Sequence, residues 1–267
     1  MFIIIIRNVS EVAMFDNHIH ANFSTDSDMV IEDAIKRGKE LDIGLVITEH
    51  MDINYQDINK MAFNPDEYFK SYPKYKSDSL MLGIELGMIP QLAQENRAIV
   101  ENYPFDFVLG SVHFVDQYDI YEDELYIGKN KYEVYQRYFK FMLECINSHN
   151  FIDSLGHIDY IARYARFNDK EIYYMEYASL IDDVLIALIR SEKALELNTK
   201  RLKDKKAFLN MLLLFKRYSE LGGKMITLGS DSHNVGSIGM NFDIAKDIID
   251  TYHLKEVYFT NRKPEYA

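Results

Sequence analysis

The sequence predicts an α/β fold, a distorted TIM-like (β/α)7 barrel whose functional groups gather at the C-terminal rim of the strands. Three observations carry this prediction. Short apolar strands alternate with amphipathic helices along the chain, without a low-complexity linker, as in a parallel sheet with helical crossovers. Histidine, aspartate and glutamate stand at the ends of six different strands, and a closed barrel brings such ends to one rim where an open sheet would scatter them. The length of 267 residues, 48% of them hydrophobic, suffices for one such barrel as a single domain.

The elements follow in order. Residues 1–13 begin with Met1-Phe2-Ile3-Ile4-Ile5-Ile6-Arg7, an apolar run too short to cross a membrane or to act as a secretion signal. They read as an N-terminal extension from an upstream start, with an extra strand as the alternative, and 14–267 as the domain. Met14-Phe15 opens a strand carrying Asp16-Asn17-His18-Ile19-His20. Side chains alternate along a strand, so His18 and His20 leave the same face and can grip one metal ion. Asp28 to Asp42 reads as a helix burying Val30, Ile31, Ala34, Ile35 and Leu41, with Ser27 or Asp28 as its N-cap.

Gly44 to Thr48 is a strand ending in Glu49-His50, and a helical stretch near Pro65–Tyr75 follows. Ser79 to Glu85 is a strand ending on a carboxylate, Gln91–Asn102 a helix, and Phe105 to His113 a strand ending on histidine. An aromatic-rich loop leads to a helix from Lys131 to Asn147, then Ser154-Leu155-Gly156-His157 is a strand end. Ile172–Ser191 is helical, Lys193 to Asn198 a strand, and Lys205–Leu221 a helix. Gly223 to His233 is a strand ending on Asp231-Ser232-His233, Phe242–Thr251 is helical, and Lys255–Thr260 is the last strand.

Charge and cysteine usage exclude several classes. A formal net charge of −12 argues against non-specific nucleic-acid or anionic-lipid binding, although bound metals can still attract a phosphate. The single cysteine, Cys145, permits no disulfide within the chain, fits a reducing cytoplasm, and reads as a buried packing thiol.

Six of the eight histidines, His18, His20, His50, His113, His157 and His233, fall at or beside strand ends. Asp26, Glu49, Glu85 and Asp231 join them, whereas His149 and His253 lie elsewhere and read as structural. Imidazole with carboxylate suits zinc, iron or manganese, and the supply exceeds what one catalytic ion takes, pointing to two or three metals.

With these motifs in order, the chain resembles the polymerase-and-histidinol-phosphatase (PHP) superfamily from Met14 onward. The resemblance rests on His18-Ile19-His20, Thr48-Glu49-His50, Gly156-His157 and Ser230-Asp231-Ser232-His233, with Glu85 and Ser111-Val112-His113 between them. Within the family it is most similar to the histidinol-phosphate phosphatase branch. The phrases carrying that likeness include His20 to Ser27, Pro104 to Val108, Gly156 to Tyr164 and Thr227 to His233.

The resemblance implies a trinuclear centre. His18, His20, Glu85 and Asp231 would hold the first ion, a bridging Glu85 with His113 and His157 the second, and Asp26, His50 and His233 the third. Asp26 stands where many relatives have histidine and the phosphatase branch has aspartate. Glu49 is expected to orient a ligand rather than bind. The implied activity is hydrolysis of L-histidinol phosphate, a step of histidine biosynthesis, by a metal-bridging hydroxide, with no nucleophilic Ser or Cys motif to suggest a covalent route. Arg163 is the first choice for binding phosphate, with Lys200, Arg201 and Asn198 after the Leu197 strand. The branch tends to have arginine where Lys200 stands, so the choice between Lys200 and Arg201 stays open. Asp231 and His233 are candidates to protonate the leaving group. Alternatives are a phosphatase for another small phosphomonoester or phosphotyrosine, a PHP exonuclease, and a regulatory metal-binding barrel. The sequence leaves oligomeric state open.

Overall fold

The computed structural model describes residues 14–53 and 61–267. The reading of residues 1–13, and the 54–60 part of the loop after His50, lie outside the described residues.

The strands are β1 (Phe15–Ile19), β2 (Gly44–Met51), β3 (Leu80–Gly87), β4 (Phe107–Ser111), β5 (Phe114–Val115), β6 (Tyr118–Asp119), β7 (Ser154–Leu155), β8 (Ala194–Asn198), β9 (Met225–Gly229), β10 (Lys255–Thr260) and β11 (Lys263–Tyr266). In the main sheet β1, β2, β3, β4, β7, β8 and β9 pair side by side, every pair parallel. Beyond β9 the chain returns to β1, where Ser232 bridges Ile19 and the His20 amide donates to the Ser232 carbonyl at 2.8 Å. These contacts close a seven-stranded ring at its C-terminal rim.

The opposite end is held open by a wedge. β10 pairs with the start of β9 (Lys255 with Met225), and the Glu256 carboxylate accepts the Phe15 amide of β1 at 3.0 Å. Alternation explains the two cores. Val46, Met81, Phe107, Leu109 and Ala194 share a strand face with the site residues and pack with Val257 and Phe259 of β10 into an apolar plug. The other face, with Leu45, Ile47, Leu82, Ile84, Val108, Leu195 and Ile226, packs in the larger core shared with the surrounding helices.

Local chemistry moves some boundaries. The first helix spans Ile31–Leu41 and its N-cap is Val30, without a side-chain cap. Neither expected cap, Ser27 or Asp28, serves: the helix starts later, and the Ser27 hydroxyl donates to the His20 carbonyl at 2.8 Å instead. The helix at Pro65–Ser71 stops before Pro73, which has no N–H to donate back to the preceding turn, and the chain continues as a 3-10 turn at Pro73–Tyr75. The loop after His113 folds into a short β5–β6 hairpin, and β11 pairs antiparallel with β10. Asn261 and Arg262 connect β10 to β11 with positive φ, the geometry of a two-residue hairpin turn, and the Asp106 carboxylate accepts the Asn261 amide at 3.0 Å. Among the described residues no helix is long and apolar enough to cross a membrane.

Candidate metal centre

The strand ends converge as the alternation predicts. β1 delivers His18, β2 delivers His50, and β3 delivers Glu85, with His20, His113, His157 and Asp231 just past the ends of β1, β4, β7 and β9. Glu85 is fully buried and central. Its Oε1 lies 2.9 Å from His157 Nε2 and 3.3 Å from both His18 Nε2 and His113 Nε2. Its Oε2 lies 2.7 Å from His50 Nδ1 and 3.4 Å from His20 Nε2. Asp231 Oδ1 is 3.9 Å from His18 Nε2 and 3.8 Å from His20 Nε2. Asp26, nearer solvent, reaches His233 Nε2 at 3.1 Å and His50 Nε2 at 3.4 Å. All nine residues read from the sequence as metal ligands are therefore placed in one cluster.

Three of the other ring nitrogens are anchored from behind. His18 Nδ1 meets Glu196 Oε1 at 2.6 Å, His113 Nδ1 meets Asp52 Oδ1 at 3.0 Å, and His20 Nδ1 meets Ser24 Oγ at 3.1 Å. Such partners hold the proton on Nδ1 and turn Nε2 inward. Inside the cluster His18 Nε2 and His20 Nε2 face each other at 3.0 Å, and Glu85 Oε2, although 2.7 Å from His50 Nδ1, makes no well-aligned hydrogen bond. Four subsets, His18–His20–Asp231, His18–Glu85–His157, His20–His50–His233 and His50–Asp52–His113, have ligand atoms mutually within 4.8 Å. Nitrogen and carboxylate donors at these spacings fit divalent cations.

Electrostatics agree with that donor set. Burial opposes ionisation of Glu85, but the adjacent His18, His113 and His50 outweigh it and hold the carboxyl well below its usual range. Burial likewise opposes ionisation of Asp231, and Arg163 and His18 overcome it. Asp231 also has positive φ (53°), a left-handed conformation that aspartate tolerates better than most residues.

A cavity of about 210 Å³ opens over the cluster, lined by Asp26, His50, Glu85, His113, His157, Asp231 and His233 together with Tyr160, Arg163 and Lys200. Arg163 sits in a short helix (Ile161–Tyr164) after His157 and donates from one terminal nitrogen to Asp231 Oδ2. Its Nε and other terminal nitrogen are buried without a hydrogen-bond partner. Lys200 Nζ lies 3.4 Å from Asp231 Oδ1 and donates to the Asp231 carbonyl at 3.1 Å. Arg201 turns away, pairing with Asp159 at 2.9 Å and with Glu171. Asn198 stays beneath the cavity, accepting the Lys200 amide at 3.1 Å through Oδ1. Glu49 accepts the Ala21 and Ser24 amides and the Ser24 hydroxyl, the last at 2.6 Å, and so reaches His20 through Ser24.

Glu196, Asp52 and Asp16 were not singled out from the sequence. Asp52 follows His50 by two and Glu196 precedes Asn198 by two, so same-face alternation was the available signal. Asp16 had none: its carboxylate accepts the Ser230 and Gly239 amides, each at 2.9 Å, from more than 200 residues away. His149, read as structural, is indeed buried behind Asn96, remote from the cluster in its contacts.

Fold and site together define a barrel with a cluster of candidate metal-binding histidines and carboxylates beside a cavity at its rim. Residues 16–200 match the PHP domain, and the chain belongs to that family. It is 47% identical over 254 residues, 95% of this chain and 100% of the relative, to a probable histidinol-phosphatase of Clostridium acetobutylicum. It is 33% identical over 231 residues, 82% of this chain and 83% of the relative, to the histidinol-phosphatase of Lactococcus lactis. A crystal structure of a histidinol phosphate phosphatase from Lactococcus lactis, complexed with zinc, L-histidinol and phosphate, superposes with a TM-score of 0.87 at 30% identity, covering 95% of this chain and 99% of that one.

Proposed function

We propose that this protein is a histidinol-phosphatase, hydrolysing L-histidinol phosphate to L-histidinol and phosphate in histidine biosynthesis. The observation that carries the proposal is the cavity itself, lined by the ligand cluster around Glu85 and by Arg163, which has two nitrogens without a hydrogen-bond partner, in a chain 47% identical to a probable histidinol-phosphatase.

Three divalent ions, zinc, iron or manganese, are the proposed cofactor. His18, His20, Glu85 and Asp231 would hold one, Glu85 with His113 and His157 a second, and Asp26, His50 and His233 a third. Bound there, the metals supply Lewis acidity toward phosphoryl oxygens and activation of water near neutral pH.

The chain's own groups do the rest. Arg163 would offer its Nε and its unpaired terminal nitrogen to phosphoryl oxygens while the other terminal nitrogen, bonded to Asp231, fixes the guanidinium in place. Lys200 adds a positive charge beside Asp231, more exposed and more mobile than the arginine fork. Arg201 supports the same loop from outside by its ion pairs with Asp159 and Glu171, and Asn198 holds the Lys200 amide. His233 Nδ1 donates to the Asp231 carbonyl at 3.1 Å, and its Nε2 lies 3.1 Å from an Asp26 carboxylate oxygen, a pair that would hold one cation between them.

The partner is thus a small phosphate ester. A chain with net charge −12 does not present the basic surface of a nuclease, and its buried, unpaired Cys145 fits the reducing cytoplasm proposed as its location. The test is phosphate release from L-histidinol phosphate before and after chelation, beside Asp231→Asn. Release that disappears with the metals and with the carboxylate supports the reading, and release that survives chelation refutes it.

A further inference from the structure

We infer that Glu196 is a positioning residue that presets two metal-binding histidines from two different strands, and that Gly229 is glycine because this carboxylate lies across it. The inference rests on the metal-centre reading above.

Glu196 is buried, with 1% exposure, and does not line the cavity, so it touches neither substrate nor solvent. It stands on β8, whereas His18 stands on β1, and β9 runs between them. The carboxylate reaches over β9 at Gly229 to place Oε1 2.6 Å from His18 Nδ1. A Cβ on Gly229 would overlap Glu196 Oε1 and come within 2.7 Å of the His18 Cβ. The second oxygen, Oε2, accepts the backbone amide of His157 at 2.5 Å and the Asn198 side-chain amide at 3.3 Å. One side chain thereby fixes the tautomer and ring plane of His18 and the backbone position of His157. Those two histidines converge on the same Glu85 oxygen, at 3.3 and 2.9 Å.

The same device recurs around the cluster. A Cβ on Gly87 would overlap Asp52 Oδ1, the anchor of His113, and a Cβ on Gly156 would overlap the Ser111 hydroxyl that donates to Glu85 at 2.8 Å. Each orienting group occupies space that a glycine on a neighbouring strand or just past its end leaves free. Glu196 differs in serving two ligands, so its loss should disturb both.

The experiment is zinc titration of metal-depleted protein against a competing chelator, with far-UV circular dichroism of each metal-depleted form. It compares wild type, Glu196→Gln, Glu196→Ala and Gly229→Ala. Glutamine keeps the volume and one acceptor but cannot accept from both His18 and His157, so it decides the matter even where a smaller or larger replacement fails to fold. The expected result is a loss of about 10–100-fold in zinc affinity in Glu196→Gln and Gly229→Ala, with secondary structure retained in the metal-depleted proteins. Wild-type affinity and stoichiometry in folded Glu196→Gln would overturn the positioning role while leaving the metal centre standing. A wild-type protein that takes up no zinc would overturn both.

Discussion

The Nε2 atoms of His18 and His20 face each other at 3.0 Å inside a fully buried pocket, each with its Nδ1 already engaged, by Glu196 and by Ser24. Burial opposes a proton on His18, but the Glu196 and Glu85 carboxylates outweigh it and raise its pKa, while burial lowers that of His20, so His18 Nε2 donates to His20 Nε2. A shared cation takes that proton's place, and metal binding therefore contributes to folding as well as to chemistry.

Chelation should lower the thermal midpoint. A ligand held at about 100 times its Kd stabilises by about 2.7 kcal/mol, worth roughly 5–10 °C for a chain of this size. Differential scanning calorimetry with and without added zinc reads the shift, and an unchanged midpoint would contradict metal binding at this cluster.

Arg163→Ala should reduce kcat/KM by about 100- to 1,000-fold, because it removes the unpaired guanidinium donors of a cavity-lining residue and frees Asp231 from its partner. Arg163→Lys should recover only part, since lysine brings charge without the fork. Steady-state kinetics beside metal analysis separates the lost donors from lost ions.

Lys200 and Arg201 should separate into two phenotypes. Lys200→Ala is expected to raise KM with little change in stability, its amine being partly exposed beside Asp231. Arg201→Ala leaves Asp159 and Glu171 buried and unpaired, and should cost about 3–5 kcal/mol in urea unfolding while perturbing catalysis mainly through the loop.

Acid should weaken the fold through His149. Its Nδ1 donates to the Cys145 carbonyl at 3.0 Å and its Nε2 accepts from Asn96 at 3.1 Å, a neutral ring that burial pushes down to a pKa of about 4. The unfolded chain binds this proton near the ordinary value of 6.5, so the stabilisation is complete above that value and is lost as pH falls toward 4. Relative to His149→Gln, the protein should lose about 2 kcal/mol between roughly pH 7.5 and pH 5. Urea unfolding of metal-depleted forms at both values measures it, and a constant difference would refute the assignment.

Much of this arrangement was legible because strand alternation and motif order are local. His18, His50, Glu85, His113, His157 and Asp231 each announce themselves at a strand end, and parallel connectivity alone then gathers them. What escaped depends on contacts distant in sequence. Glu196 acquires its role only when Gly229 lets it cross β9, and Arg201 is excluded from the cavity by Asp159 and Glu171, 42 and 30 residues away. The β11 strand was hidden because its turn uses Asn261-Arg262, without the glycine that usually marks such a hairpin.

The most direct test of the central claim is kcat/KM for L-histidinol phosphate against a panel of other phosphomonoesters, phosphotyrosine included, using zinc-loaded protein of known metal content. The account predicts strong preference for L-histidinol phosphate, abolished by chelation and restored by zinc. Equal, slow hydrolysis across the panel would contradict the assigned substrate, and no hydrolysis by fully loaded protein would contradict the enzyme itself.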